Sequence, residues 1–291
     1  FKDKWRDIEV NYYVEKEYAP YTQEIFGLTP EMLEFFSTKL GVDYPWQKYS
    51  QVIVRDYVSG AMENTSAVIF GEFTHQTTRE LIDGSAGEDV ISHELFHHWF
   101  GDLVTCETAE DMWINEGMAV YSEHLFLEKV YDYPTSLDVI KSNNKNVIQK
   151  THLNEGGFRA ISGVPHEYTY GEHTYQKGAL VAHNMRAYLG DSLFFVGLKS
   201  ITDNYKFRNN VATEEGSYKM VEKSFIVETL IAEDILGIIS SMAVGYRTVF
   251  NMFAIEGYSH REIAEELGIT ENTSKSQYHR AREHLKKKLK Q

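Results

Sequence analysis

The chain contains little cysteine, little proline and no long apolar run. Cys106 is the only cysteine among 291 residues, so an internal disulfide framework is excluded. No segment reaches the roughly 18 to 20 consecutive apolar residues of a membrane-spanning helix, and the first residues lack the apolar segment of a signal peptide. All five prolines occur up to Pro165, which favours a helical C-terminal part. The sequence therefore predicts no membrane span.

Charge is unevenly distributed along the chain, whose formal net charge is -14. Residues 271–291 contain seven Lys or Arg against two Glu, a local balance of +5, so the preceding 270 residues carry -19. Phosphate repels an acidic body, whereas it attracts a basic terminal helix. Charge alone leaves two interpretations of this end open, a nucleic-acid contact and a solvated helix.

The hydrophobic pattern changes from mixed to helical along the chain. Thr29-Pro30 places proline in the first turn of a helix that runs towards Leu40. Residues 51–57 and 67–73 alternate and are rich in β-branched side chains, which predicts two strands flanking residues 60–64. From about Asp89 onwards the pattern is mainly helical.

A metal-binding pattern lies near the start of the helical part. In His93-Glu94-Leu95-Phe96-His97 the two histidines are four residues apart, so they share one helix face and can bind one cation. Glu94 lies one step round the helix, close enough to a bound water to act as general base. Glu116 supplies a third ligand from a second helix that opens at about Trp113–Gly117. Two histidines and one carboxylate leave a fourth position open, which is the pattern of a catalytic zinc that activates water.

Three segments together resemble the M1 family of zinc aminopeptidases, the gluzincins. They are His93–Asp102, Gly60–Asn64 and Trp113–Gly117, and the resemblance covers about residues 1–215. It implies a thermolysin-like peptidase core that is mainly α with a small β-sheet (α+β). It also implies one Zn²⁺ ion and peptide substrates with a free N-terminus.

The segment Gly60-Ala61-Met62-Glu63-Asn64 is where such an enzyme would recognise the cationic N-terminus. A carboxylate beside the metal distinguishes a free amine from a mid-chain amide by charge pairing, and Glu63 is the candidate for this anchor. By resemblance, the backbone of Gly60, Ala61 and Met62 hydrogen-bonds the substrate as an added strand does.

Other residues are candidates for supporting roles. Tyr175 stands before a Lys-Gly pair and resembles the family's catalytic tyrosine, whose hydroxyl would stabilise the oxyanion. Asp111, Asn115 and Glu123 are candidates to orient the ligands, and nothing in the sequence chooses among them. His98 lies off the metal-binding face, so we expect it to pack or to support a ligand.

The C-terminal part shows a helix-turn-helix pattern. Ser259 and Glu262 form a capping box that opens a short helix over residues 261–267, and Gly268 then allows the turn. Thr270 can cap a second helix that runs from Glu271 through Leu289. This arrangement is typical of a recognition helix followed by phosphate contacts.

Residues 245–250, 257–264 and 273–282 resemble region 4 of extracytoplasmic-function sigma factors, an all-α module that reads the -35 promoter element. The resemblance covers about residues 226–291 and implies promoter DNA and RNA polymerase as partners. It also implies six residues that face DNA, with base and phosphate contacts undecided. These are Thr273, Lys275, Ser276, Gln277, His279 and Arg280.

These resemblances predict two domains and a junction. The first, residues 1–215, is a peptidase catalytic domain expected to be incomplete at both ends. Residues 216–225 form the junction, within a stretch of weak periodicity, and residues 226–291 form the DNA-binding domain. The chain has no initiator Met, so we expect a fragment or a processed form.

The leading hypothesis for function is a zinc metalloaminopeptidase that is fused to a sigma-like module. One alternative is a DNA-binding transcription regulator with an inactive peptidase-like scaffold, although the sigma region that melts the promoter is absent. Another alternative is endopeptidase activity, which Glu63 disfavours. A natural fusion and an assembly artefact are both open. The compartment would be the cytoplasm if the sigma-like module functions, and the periplasm or exterior if only the peptidase does.

Overall fold

A five-stranded mixed sheet and a set of helices make up the computed structural model, which describes residues 1–83, 87–206, 241–255 and 258–288. The described residues divide into two compact units. The first lies within Phe1–Ala182 and Leu193–Phe207, and the second within His183–Ser192 and Arg208–Gln291. The junction predicted at residues 216–225 lies outside the described residues, so the domain boundaries stay a prediction.

The sheet belongs to the first unit and has the order β1-β2-β3-β5-β4. Neighbouring strands β2, β3 and β5 run parallel, while β1 and β4 are antiparallel to their neighbours. The strands are β1 (Lys2–Trp5), β2 (Ile8–Tyr13), β3 (Lys48–Val54), β4 (Ala61–Met62) and β5 (Ala67–Gly71). The two strands predicted around residues 60–64 are thus confirmed as β3 and β5. The short strand β4 lies between them in the chain and at the edge of the sheet.

Helices account for most of the remaining described chain. Up to Tyr205 they are α1 (Thr22–Phe26), α2 (Thr29–Leu40), α3 (Thr78–Asp83), α4 (Glu88–Phe96), α5 (Glu116–Val130), α6 (Tyr133–Asn146), α7 (His152–Asn154), α8 (Gln176–Leu189) and α9 (Asp191–Tyr205), with residues 183–192 of α8 and α9 counted in the second unit. The predicted helix at Thr29 is confirmed, with proline in its first turn and Gly41 ending it in the left-handed conformation at φ 63°. No described helix is long and apolar enough to cross a bilayer.

An aromatic core fixes α4 against α2 and α5. Phe36 of α2 is fully buried and packs edge-on against Phe96 of α4, with ring centroids 5.2 Å apart. The rings of Phe126 in α5 and of Trp99 also pack against Phe36, each with its centroid 6.3 Å from that of Phe36. Buried aromatic rings each remove a large apolar area from water. The face of α4 opposite this core is therefore held at a defined depth and orientation.

Among its described residues, the second unit contains the further α-helices α10 (Val244–Phe250), α11 (His260–Leu267) and α12 (Glu271–Lys288). The predicted capping box is confirmed, because Glu262 N–H donates to the Ser259 side chain and the Glu262 carboxylate accepts from Ser259 N–H. Gly268 has φ 62°, a conformation that favours glycine, and Thr270 Oγ1 accepts from Thr273 N–H at 3.1 Å. The fold class predicted from the sequence is confirmed in both units.

Candidate active site

Two imidazoles and one carboxylate meet at the centre of the first unit. His93 lies in the last turn of α4, His97 immediately follows that helix, and Glu116 begins α5. The Nε2 atoms of His93 and His97 are each 3.2 Å from the same oxygen, Oε2 of Glu116. All three side chains are buried. The predicted triad therefore converges, and its second helix begins at Glu116, within the predicted span Trp113–Gly117 and after a 3₁₀ turn that contains Trp113.

The donor set fits a tetrahedral divalent ion. Ligand bonds of 2.0–2.1 Å at tetrahedral angles would separate neighbouring donor atoms by about 3.3 Å, close to the observed 3.2 Å contacts. The other nitrogen of each imidazole, Nδ1, already has a hydrogen-bond partner within the protein. His93 Nδ1 is 2.7 Å from Glu123 Oε1, and His97 Nδ1 is 3.0 Å from the Phe100 carbonyl oxygen. Each imidazole thus has its Nε2 directed towards the shared centre.

Glu94 lies beside this centre in α4. Burial raises its pKa to about 7. Its Oε2 atom is buried and makes no hydrogen bond to any part of the chain that the structure describes. A carboxylate with such a pKa is half-protonated near neutral pH, so it can both accept and return a proton. Glu94 therefore has the properties of a general base next to, and outside, the triad.

Glu63 approaches the same centre from the sheet. One carboxylate oxygen of Glu63, one of Glu94 and a ring nitrogen of His97 lie within 4.8 Å of one another. Glu63 follows β4, an outer strand that pairs with β5 on one side, Ala61 opposite Phe70 and Met62 opposite Ile69. Part of the segment 60–64, which the sequence places between two strands, is therefore itself a strand.

The outer edge of β4 is available to an extended chain. Gly60 is exposed, and its carbonyl oxygen accepts from Gly71 N–H of β5 at 2.9 Å, so the pairing begins at this residue. Ala61 and Met62 pair only with β5 among the described strands. An outer strand presents unpaired N–H and C=O groups, which are a template for another strand. The backbone groups predicted to bind substrate are thus at an edge.

Tyr175 faces the triad from the start of α8. Its ring is stacked on that of His93, with centroids 6.1 Å apart and planes 9° from parallel. Burial, together with the charge and hydrogen bonding of Glu116, raises the pKa of Tyr175 well above its ordinary value. The phenol therefore keeps its proton at neutral pH and remains a hydrogen-bond donor.

Two glycines bring Tyr175 and Glu116 together. A Cβ placed on Gly117 would lie 2.8 Å from Gly178 Cα and 2.9 Å from the Thr174 carbonyl oxygen, so the first turns of α5 and α8 touch through backbone. No side chain larger than hydrogen fits at this contact. The close approach places the carboxylate of one helix and the phenol of the other on the same centre.

Comparison with known proteins agrees with this geometry. The profile of the Peptidase family M1 domain matches residues 25–231. The chain belongs to peptidase family M1. Among curated relatives, probable aminopeptidase 2 of Sulfurisphaera tokodaii is 29% identical over 223 residues, which are 70% of this chain and 27% of that protein. Aminopeptidase N of Streptomyces lividans is 31% identical over 196 residues, 64% of this chain and 22% of the relative.

A solved M1 zinc metallopeptidase from Deinococcus radiodurans has the same fold, with a TM-score of 0.55 and 22% identity, over 78% of this chain and 48% of that one. The M1 chain described here thus spans roughly a quarter of its curated relatives and about half of its structural relatives. The family's metal is zinc, and His93, His97 and Glu116 form a donor group that suits it.

Two supporting residues of the M1 site are now distinguished. Of the three candidates, Glu123 has a carboxylate that contacts His93, at 2.7 Å from Nδ1, which suits a ligand-orienting role. Asn115 instead holds the preceding loop, where its Oδ1 accepts from Cys106 N–H at 3.0 Å. Glu123 lies seven residues after Glu116, about two helical turns further along the same face of α5.

The sequence predicts that His98 lies off the metal-binding face, and in the structure this side chain points away from the metal centre. It is fully buried, and its Nε2 accepts from Ser66 N–H at 3.0 Å. Burial lowers the pKa of His98 to about 3, so the ring is neutral. Tyr49 packs against it with centroids 5.1 Å apart. His98 therefore fastens the turn between β4 and β5, which carries the candidate anchor.

The profile of Sigma-70, region 4, matches residues 232–285 of the same chain. In α12 the six residues predicted to face DNA fall into two groups: Lys275, Ser276, His279 and Arg280 are exposed, while Thr273 and Gln277 are half-buried. Lys275 pairs with Glu271 at 2.7 Å, and Arg280 donates to Tyr246 Oη at 3.1 Å. All six residues predicted to face DNA thus lie on α12, and their contact with DNA stays a prediction.

Proposed function

We propose that the first unit carries a zinc-dependent aminopeptidase activity that removes N-terminal residues from peptides. The observation that carries the proposal is the position of Glu63, whose carboxylate lies within 4.8 Å of Glu94 and of His97. A fixed negative charge beside the metal ligands suits a substrate whose amine is positive and next to the scissile bond. The names of the curated relatives, which include aminopeptidases, support the same activity.

Substrate binding would use the sheet and the anchor together. The first residues of a peptide extend along the outer edge of β4 and hydrogen-bond the backbone of Gly60, Ala61 and Met62. The free amine pairs with Glu63, which fixes the peptide in one register with its first residue at the metal centre. An acetylated N-terminus has no charge to offer this carboxylate.

Three groups would then carry out hydrolysis of the peptide bond. His93, His97 and Glu116 would hold a zinc ion, which when bound would supply Lewis-acid chemistry. Glu94 accepts the proton of the attacking water and returns it to the leaving nitrogen, for which a pKa near 7 is suited. Tyr175 stays protonated and donates a hydrogen bond to the carbonyl oxygen as negative charge develops there.

The experiment for this proposal is Glu94→Gln. The amide keeps the size of the side chain but accepts no proton, so cleavage of an amino-acid amide should fall about 10²- to 10⁴-fold while zinc content is unchanged. Glu24→Gln, an exposed change in α1, is the matched control and should retain full activity. Cleavage by Glu94→Gln at the rate of the parent would remove Glu94 from the mechanism.

We further propose that the second unit binds DNA through α12. The match to the sigma region 4 profile and the exposed cations Lys275 and Arg280 support this function. The surface ion pair of Lys275 with Glu271 is no obstacle, because exposed pairs contribute at most about 1 kcal/mol.

The DNA-binding test compares two doubly substituted chains of equal charge. Binding to promoter-like duplexes should weaken steeply with salt, and Lys275→Ala with Arg280→Ala should lower the slope of log affinity against log salt by about two. The control, Lys16→Ala with Lys48→Ala, removes two exposed cations of the first unit and should bind as the parent does. Equal binding by both double variants would refute a DNA contact through α12.

A further inference from the structure

A buried acid and imidazole, Glu155 and His173, lie outside the machinery of the proposed mechanism. They are 5% and 1% exposed, and His173 Nδ1 is 2.5 Å from Glu155 Oε2. A buried carboxylate is costly to the fold unless several donors satisfy it. The sequence did not single out either residue, because they are 18 positions apart and belong to loops without helical or strand periodicity.

The hydrogen bonds around His173 define which of its nitrogens carries the proton. The backbone N–H of Arg159 points at His173 Nε2 from 3.2 Å, so Nε2 must accept. Nδ1 is then the protonated nitrogen and donates to Glu155. The backbone carbonyl of Glu155 in turn accepts from the Arg159 side chain at 3.1 Å. Glu155, His173 and Arg159 are thus joined in a closed ring of hydrogen bonds.

This set also holds the turn that presents Tyr175. Glu172 N–H donates to Oε1 of Glu155, the other oxygen of the same carboxylate. Thr174 N–H and Tyr175 N–H both donate to the Gly171 carbonyl oxygen, at 3.0 and 3.1 Å. Residues 171–175 therefore form a turn whose second residue is bound to Glu155 and whose last residue is Tyr175.

The turn is closely fitted to the acid and is held from outside as well. A Cβ on Gly171 would lie 2.6 Å from Glu155 Oε1, so the backbone passes directly over the carboxylate. On the outer side, Thr151 Oγ1 donates to the Glu172 carboxylate at 2.6 Å. Such contacts restrict where the turn can place the residue that follows it.

From these contacts we infer that Glu155 and His173 are positioning residues for Tyr175. They hold the turn 171–175 so that the phenol faces the Glu116 side of the metal centre. The inference rests on the proposed function, since it assigns the pair a part in the peptidase reaction. Its action is indirect, because neither side chain touches the substrate or the reacting atoms.

The test is Glu155→Gln, alone and combined with Tyr175→Phe. The amide offers one acceptor oxygen to two donors, Glu172 N–H and His173 Nδ1–H, so one donor loses its partner. With Tyr175 present, kcat per zinc-loaded protein should fall about ten- to a hundredfold with KM little changed. In the Tyr175→Phe background, the same substitution should cause no further loss. An equal loss in both backgrounds would overturn the inference.

Controls separate this role from general destabilisation and from the proposed function. Glu167→Gln, an exposed glutamate nearby, should leave kcat unchanged. His173→Asn keeps a donor towards Glu155 but loses the acceptor for Arg159 N–H, so it should show a smaller loss that also disappears with Tyr175→Phe. Amide hydrogen exchange over residues 171–176 should accelerate in Glu155→Gln, and unchanged exchange would refute the anchoring even if the parent enzyme were inactive. An inactive parent would refute the proposed function alone.

Discussion

Replacement of Glu63 by Gln should change which peptides the enzyme prefers. The substitution keeps the size of the side chain and removes the charge that faces the substrate amine. Hydrogen bonds to charged groups contribute about 1.5–3 kcal/mol, and each 1.36 kcal/mol changes a rate constant about tenfold. Glu63 is only half-buried, so solvent screening reduces the effect towards the lower figure. We therefore expect kcat/KM on a free-amine substrate to fall about ten- to thirtyfold.

The assay compares a free and an N-acetylated form of the same peptide. The parent should cleave the free form far faster, and Glu63→Gln should reduce this ratio because it affects only the free form. Glu24→Gln, exposed in α1, is the control of equal charge change and should keep the ratio of the parent. An equal fall on both peptides would contradict an amine anchor and favour a structural role for Glu63, whereas preference for the acetylated form by the parent would indicate an endopeptidase.

Two further predictions concern the metal ligands and the helix contact. Glu123→Gln keeps an oxygen opposite His93 Nδ1 but loses its charge, so zinc affinity should fall about tenfold in competition with a chelator; an unchanged affinity would refute the orienting role. Gly117→Ala places a methyl group 2.8 Å from the Gly178 backbone, and urea denaturation should show a loss of about 1–3 kcal/mol together with reduced activity. Gly197→Ala in α9, where nothing lies within 4 Å, is the matched control and should raise stability by up to about 1 kcal/mol.

The parts of the site that follow from local spacing could be predicted from the sequence. His93 and His97 are one helical turn apart, so their common face follows from the period of the helix. The capping box at Ser259 and the helix at Thr29 are equally local, and the structure contains both. Glu63 was proposed from charge chemistry and resemblance, and the structure places its carboxylate beside Glu94.

The parts that depend on distant contacts could not be predicted. The Tyr-rich start of the chain gave no clear period, yet it forms β1 and β2, because pairing with β3 and packing on the core decide its conformation. The close contact of Gly117 with Gly178 joins residues 61 positions apart and has no signature beyond two glycines. The sequence left three candidates for the residue that orients a metal ligand, and only the distance from Glu123 to His93 distinguishes it from the other two.

The acidity of the site links the metal to the substrate. Three carboxylates lie close to two imidazoles, those of Glu94 and Glu116 buried and that of Glu63 half-buried. Burial alone would lower the pKa of His93, but the carboxylates of Glu116 and Glu123 outweigh it and raise that pKa well above its ordinary value. The carboxylates of the site therefore favour the binding of positively charged groups. A divalent ion satisfies Glu116 and the imidazoles, and the charge of Glu63 remains to be matched. Under the proposed function, the ammonium group of a peptide would complete this balance, so one excess of negative charge would select both the metal and the end of the peptide that is cut.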